Sequence, residues 1–410
     1  MKKYLRQNNL VAIFDIYILL FLLSGCSGQK KDGSEMKYVY TRPSISIQEQ
    51  LKPVSFDLLN GKYVDFYDNL DSLRILKLET TGEAIIGRIS RLFIVNDTLF
   101  VADYSKAKAI LAFDLQGKFL YKISRVGNGP GEYQSINMVQ IDHRRITILD
   151  WLSWKIIQVD LQGNFLSEKK IEQHPVDFIG LDDDKMLFAY AQYTPETPYQ
   201  IVFADTDSKP VETAFPFKNT RQLPGDEFSF FQKTEAGKIL YHYPLCDTIF
   251  EITDKQITPK YHLSLYAPSE IESFYEETKN MVENDFVKRQ MTNDFILYFR
   301  FIELDDVFYI NYSTGQDSYT SLVSKKDYIS YNSLSGNGRK KFTYTPFFVS
   351  GFNQNALLAF IDETFANFLT KENKELFYSH FNDNDIQKIK ELETTDNNPV
   401  ICILYVKKSL

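Results

Sequence analysis

Residues 125–133 read RVGNGPGEY, with glycines at 127, 129 and 131 and a proline at 130. Glycines at this density could cradle a phosphate, but such a cradle needs a helix behind it to supply its field. The next residues are QSINMVQIDHRRITILD, whose alternation reads as strands, and Pro130 has no N–H to offer an anion. The stretch is therefore expected to be a joint where backbone passes close to backbone, leaving Arg125, Glu132 and Tyr133 exposed beside it. Other side chains able to do chemistry recur in matching loops: Asp103 and Tyr104 in DYSKAK, Asp150, Trp151 and Trp154 in DWLSWK, and Tyr241, His242, Tyr243 and Asp247 in YHYPLCD. Rings with polar tips suit stacking on sugar faces or anchoring a protein. The two tryptophans equally suit the groove between packed sheets. The acids suit either a metal or the capping of the loops they begin.

Nucleophilic and zinc chemistry find no motif. GxSxG and HExxH are absent, and the cysteines at 26, 246 and 402 have no metal-ligand spacing. The histidines at 143, 174, 242, 262 and 380 are scattered. DDD at 182–184 and NDND at 382–385 lack the spacing of a calcium loop and read as solvated acidic turns.

The 410 residues suffice for a full core, and 26 Tyr and 33 Phe favour strands, which pack aromatic rings well. A net charge of −8 without any dense basic block argues against a nucleic-acid partner. The amino terminus carries Lys2, Lys3 and Arg6, a short apolar run from Ile16 to Leu23, and then LSGC. That run has the proportions of a signal-peptide core rather than a membrane span. LSGC at 23–26 resembles the lipobox of bacterial lipoproteins, which implies removal of residues 1–25 and a lipid anchor on Cys26. Asp15, at the start of the apolar segment, departs from that pattern. Ser27 stands where inner-membrane retention signals carry Asp, so an outer-membrane address is expected, facing either the periplasm or the surface. Residues 26–50 are polar and read as a tether.

The elements that must hold these side chains repeat. LFVADYSKAKAILAFDLQGKFLYKI (99–123) is echoed by ITILDWLSWKIIQVDLQGNFLSEKKI (146–171), and the DLQG turns start 46 residues apart at Asp114 and Asp160. Further steps of that length reach Thr206 and Ile252, each again between apolar runs. Asp-x-x-Gly between apolar runs is hairpin chemistry, and a unit of about 46 residues with three or four strands is a propeller blade. A fifth unit spans 306–332 with a turn near Lys326. The spacing predicts a helix over about 268–291, opened by a Ser269/Glu272 capping box, and a second over about 362–392. LRILKL (73–78) is expected to complete the last blade with strands from 348–361 and 398–406, removing the exposed edges. The expected fold is all-β: a six-bladed β-propeller over residues 51–410 with helical insertions, behind a lipoprotein signal peptide.

GNGPGEY (127–133), DTIF (247–250) and NPVI (398–401) resemble the motifs of bacterial six-bladed β-propeller lipoproteins of the TolB-like and NHL-like class. The resemblance covers roughly residues 50–407 and implies the fold and the envelope address while leaving activity open. By strand parity the three aromatic loops and the RVGNGPGEY link share one face, the crown, and the DLQG turns point the other way. The crown supports two readings. In the first, a non-catalytic lipid-anchored protein holds a glycan or protein on Tyr104, Arg125, Glu132, Tyr133, Trp151, Trp154, His242 and Tyr243, with no cofactor. In the second, a lactonase-like hydrolase or lyase gathers Asp103, Asp150 and Asp247 around a calcium ion in the channel. The separation of those carboxylates distinguishes the two.

Overall fold

In the computed structural model the described residues are 50–181, 184–217, 230–234, 237–253, 256–265, 267–281, 299–314, 317–335, 348–354, 356–363, 378–393 and 397–410, with 45, 47, 48, 285 and 289. Three strands come first: β1 (Val54–Ser55), β2 (Lys62–Tyr63) and β3 (Leu70–Lys77). Blade one is β4 (Arg91–Val95), β5 (Thr98–Asp103), β6 (Ala109–Asp114) and β7 (Phe119–Ile123). Blade two is β8 (Met138–Ile141), β9 (Arg145–Asp150), β10 (Lys155–Asp160) and β11 (Phe165–Lys170). Blade three is β12 (Asp177–Gly180), β13 (Met186–Ala189), β14 (Tyr199–Ala204) and β15 (Pro210–Pro216). Blade four is β16 (Phe231–Lys233), β17 (Ile239–Tyr241), β18 (Thr248–Ile252) and β19 (Ile257–His262). Blade five is β20 (Phe299–Glu303), β21 (Val307–Thr314), β22 (Asp317–Ser324) and β23 (Ser330–Ser335). Blade six takes β24 (Phe348–Asn353), β25 (Ala356–Ile361) and β26 (Val400–Val406) from one end of the chain and β3 from the other. The fold is the expected six-bladed propeller.

Local chemistry explains the repeat. Asp114 Oδ1 accepts the N–H groups of Gln116 and Lys118, each at 2.9 Å, and Gly117 supplies φ +89°. Asp160 does the same for Gln162 and Asn164, with Gly163 at +89°. Asp205 repeats the bonds to Asp207 and Lys209, although Ser208 must take φ +64° where the first two blades have glycine. The fourth turn uses Thr253, whose hydroxyl accepts from Gln256 N–H at 3.1 Å. In all four hairpins the register slips once between the third and fourth strands, so the turn and its bulge travel together.

Closure is antiparallel: β3 pairs with β26 from Lys77↔Val400 to Leu70↔Val406. Before that, the amino-terminal segment has already crossed two other rims. Ile47 bridges Ile257, β1 lies parallel to β19, and β2 lies parallel to β23, giving blades four and five a fifth strand each. Ile45 is buried in the core of blades three and four, ahead of the boundary expected at residue 51. The belt is stapled by side chains: Ser330 Oγ and Asn332 Nδ2 donate to the carbonyls of Asp57 and Leu58, both at 2.9 Å.

Each first strand also reaches the next around the central channel. Arg91 of β4 meets Met138 Sδ of β8 at 3.2 Å, and Gln140 of β8 donates to the Phe178 carbonyl of β12 at 3.1 Å. Asp177 of β12 accepts from Phe231 N–H of β16 at 3.1 Å. Gln232 brackets Glu303 of β20, accepting from its N–H at 2.8 Å and donating to its carbonyl at 2.6 Å. Arg300 of β20 donates to the Val349 carbonyl of β24, and Gly351 of β24 packs against the Leu92 carbonyl of β4, leaving no room for a Cβ. The ring of contacts therefore closes over six blades.

The first helical insertion starts slightly elsewhere than expected. α1 (Pro268–Thr278) begins two residues before the predicted box: Pro268 takes the first helical position, and Glu270 accepts from the Ala267 N–H at 2.7 Å. α2 (Asp383–Lys390) is capped by Asn382, which accepts from Asp385 N–H at 2.9 Å, so NDND is a helix start rather than a solvated turn. The remaining parts of both predicted helices at 282–284, 286–288, 290–291 and 364–377 lie outside the described residues, as do Asp182 and Asp183 of DDD. Among the described residues no helix is long and apolar enough to cross a membrane.

Candidate functional site

The second strand of blade one ends in Asp103 and that of blade two in Asp150, and both carboxylates are fully buried. Asp103 accepts from the N–H groups of Gly87 and Arg88 in the preceding link and of Ser105 and Lys106 in its own loop, at 2.8–3.1 Å. Asp150 repeats this with Gln134, Ser135, Leu152 and Ser153 N–H and adds the Ser135 hydroxyl at 2.6 Å. Burial opposes the charge on Asp150, but these donors outweigh it and hold the carboxyl below its usual range. Asp247 accepts from Leu265 N–H at 3.2 Å and faces His262 Nε2 at 3.3 Å. Each acid thus ties a link to a loop within its own blade, and the three do not gather in the channel. Among the described residues no three His, Cys, Asp or Glu side chains are grouped to hold a metal, so the calcium reading has no ligand set there.

The RVGNGPGEY stretch folds back on itself as a blade joint. Tyr133 N–H donates to the Arg125 carbonyl at 2.9 Å, and Glu132 accepts from Gly129 N–H at 2.8 Å. Gly131, at φ +71°, donates to Glu168 and leaves Phe165 Cδ2 only 2.5 Å from where a Cβ would stand. Arg125 donates to the carbonyls of Gly131 and Gly163, stapling the joint to the DLQG turn of blade two. Tyr133 is fully buried, its hydroxyl donating to the Lys108 carbonyl at 2.8 Å. The exposure expected for Tyr133 is thereby corrected: a ring at this joint has the core of blades one and two to fill.

The aromatic loops divide in the same way. Tyr104 inserts towards β8, where its hydroxyl accepts from Val139 N–H at 3.0 Å, and burial raises its phenol to about 12. Trp151 donates its indole N–H to the Pro175 carbonyl at 2.7 Å and packs between blades two and three, as a groove filler would. Trp154 takes φ +54° and remains 45% exposed, its ring 3.8 Å from that of His174, which Trp151 flanks on another side at 5.6 Å. His174 carried no signal in the sequence: a lone histidine in a polar link. His242 stacks on Phe299 at 5.1 Å, and burial followed by the Arg300 charge lowers its imidazole to about 4. At blade four Tyr243 turns into a cavity.

That cavity, about 470 Å³, lies between blades three and four at the crown end of the rim. Phe215, Phe217, Phe230, Tyr243, Phe250 and Tyr275 contribute rings to its walls, and Ile47 and Leu51 of the belt form one edge. It was invisible in the sequence because its walls come from segments more than two hundred residues apart. A second hollow of about 420 Å³, between the glycine joint and blade two, is polar; Lys155 and Glu168 pair in it at 3.0 Å.

Two crystal structures of bacterial proteins share this architecture. A Bacteroides fragilis protein named as exported is 16% identical, with a TM-score of 0.70 over 87% of this chain and 100% of its own. A DUF4221 family member from Bacteroides vulgatus is 12% identical, with a TM-score of 0.52 over 82% of this chain and 96% of its own. At these identities the likeness is one of fold. No curated protein matches the sequence. Residues 54–405, from the first belt strand to the last strand of blade six, match one family throughout, and the chain belongs to it: DUF4934, a domain of unknown function.

Proposed function

We propose that this protein is a non-catalytic, lipid-anchored binding propeller of the cell envelope, released from its signal peptide at Cys26 and held at the outer membrane, with a glycan as its ligand. The observation that carries the binding reading is the Trp154 ring, exposed on the crown and backed by His174. An indole face held rigid from behind is a platform for a sugar ring. Support for a non-catalytic role comes from Asp103 and Asp150, whose oxygens are engaged by backbone donors. The envelope address rests on the lipobox-like LSGC, on the likeness to TolB-like and NHL-like propeller lipoproteins, and on the exported neighbour from Bacteroides fragilis. A protein partner is the second reading, favoured by Leu152, 63% exposed beside Trp154. The test is a glycan array probed with the mature protein and with Trp154→Ala. Selective binding that falls at least fivefold in the variant supports the proposal. Array binding indifferent to Trp154 defeats it, and capture of an envelope protein that depends on Leu152 and Trp154 moves the assignment to the second reading. For the anchor, a metabolic fatty-acid label that survives Cys26→Ala would refute lipidation there.

A further inference from the structure

The cavity between blades three and four is separate from the Trp154 platform, and its chemistry is of another kind. Eighteen described residues line it, and among them none carries a carboxylate, ammonium, guanidinium or imidazole group. Seven are aromatic and four are proline. The rings are held against one another: Phe215 lies 4.8 Å from Phe250 and 5.6 Å from Tyr243, and the Tyr243 and Phe250 planes are within 10° of parallel at 6.5 Å. Polar capacity is confined to neutral groups. Gln200 is buried with its amide oxygen 3.4 Å from the Tyr241 hydroxyl, and Thr248 and the tyrosines supply hydroxyls. A concave site of a few hundred Å³ with apolar walls and a few neutral polar groups is the usual form of a small-molecule site.

We infer that this cavity binds a neutral, flat, largely apolar small molecule with one hydrogen-bonding group. Charge selects the class. An anion or cation would leave water for walls that hold no partner of opposite sign among the described residues, a cost that discriminates strongly. Flat aromatic walls favour a planar ligand over a branched one, because rings gain most from offset or edge contacts with other rings. The site is assembled from three independent parts of the chain: the crown loops of blades three and four, α1 through Ile271 and Tyr275, and the belt through Ile47 and Leu51.

A matched pair of dyes tests the class directly. N-phenyl-1-naphthylamine and 1-anilinonaphthalene-8-sulfonate share one ring skeleton and differ by a sulfonate, and both brighten on leaving water. The full-length mature protein is expected to bind the neutral dye saturably, one per chain, and the sulfonate at least tenfold more weakly. Ala191→Trp, which fills the cavity from its wall, should weaken the neutral dye at least tenfold. Leu51→Asp, at an exposed edge position that the fold does not need, should weaken it at least threefold by adding a charge. Trp154→Ala should leave dye binding unchanged, which separates this site from the glycan platform. Non-saturable binding, equal affinity for the two dyes, or affinity unmoved by Leu51→Asp would each overturn the inference.

Discussion

Replacing Asp150 with Ala removes one carboxylate from five donors: the N–H groups of Gln134, Ser135, Leu152 and Ser153 and the Ser135 hydroxyl. Bonds to a charged acceptor contribute about 1.5–3 kcal/mol each. Leu152 and Ser153 sit at a loop tip where water can replace the acceptor, so the cost falls mainly on the three donors of the link. Taking the low end for those three gives about 4.5 kcal/mol for Asp150→Ala. Asp150→Asn keeps one oxygen and should cost about half as much. With an unfolding entropy of roughly 2.1 cal/mol/K per residue, a domain of this size loses slightly over 1 °C per kcal/mol, so the Ala variant should melt about 5 °C lower. Scanning calorimetry at neutral pH reads this directly, and acid should narrow the difference. The folded carboxyl titrates below its unfolded value, so its stabilisation is present above about pH 4 and is lost as pH falls through the folded value. A variant that melts within 1 °C of the parent, or whose deficit persists unchanged in acid, would refute the capping account. Loss of a bound divalent cation with unchanged melting would instead revive the metal reading.

The same geometry gives three further outcomes. Gly131→Ala should lower stability by about 1–2 kcal/mol in urea titrations, because Gly131 holds a left-handed φ and the new Cβ meets Phe165, and Phe165→Ala should relieve only the contact. Arg125→Ala should cost about 1–2 kcal/mol and speed amide exchange at Gly127 and Tyr133 while blade five is unaffected. His242 titrates near 4 when folded and near ~6.5 when unfolded, so stability should decline as pH falls from 6.5 towards 4, by about 3 kcal/mol at most. His242→Phe should remove that portion of the acid sensitivity, and an imidazole NMR shift that titrates above pH 6 would contradict it.

The turns were legible in the sequence because their chemistry is local. Asp114 and Asp160 each satisfy donors within four residues, so the residue types and the bond occur in one window. The closing role of LRILKL was legible for a related reason: an apolar alternating strand with no neighbour in its own unit must pair elsewhere. The two-residue strands β1 and β2 left no such trace, since the segment between them is held by Ser330 and Asn332 of β23 more than by any pattern of its own. The crown aromatics show a different limit. Parity assigned Tyr104, Trp151 and Tyr243 to one face, but a ring at the end of a strand can turn inward, sideways or out. Tyr104 turned to Val139 and Trp151 to Pro175, because each carries a polar atom with a backbone partner within reach. Trp154 was left outside by a backbone twist that no composition announces.

The belt has a mechanical consequence. The chain joins the propeller at the end of β19 that starts at Ile257, away from the crown, and runs from there towards Tyr261 and His262. Tension applied through the residues ahead of Ile45, directed away from the crown, therefore runs along the axis of β1 and loads its ladder in shear, all bonds at once, instead of unzipping them one by one. The pull is taken up at blades four and five before it reaches β3, so the seam that closes the ring is shielded from it.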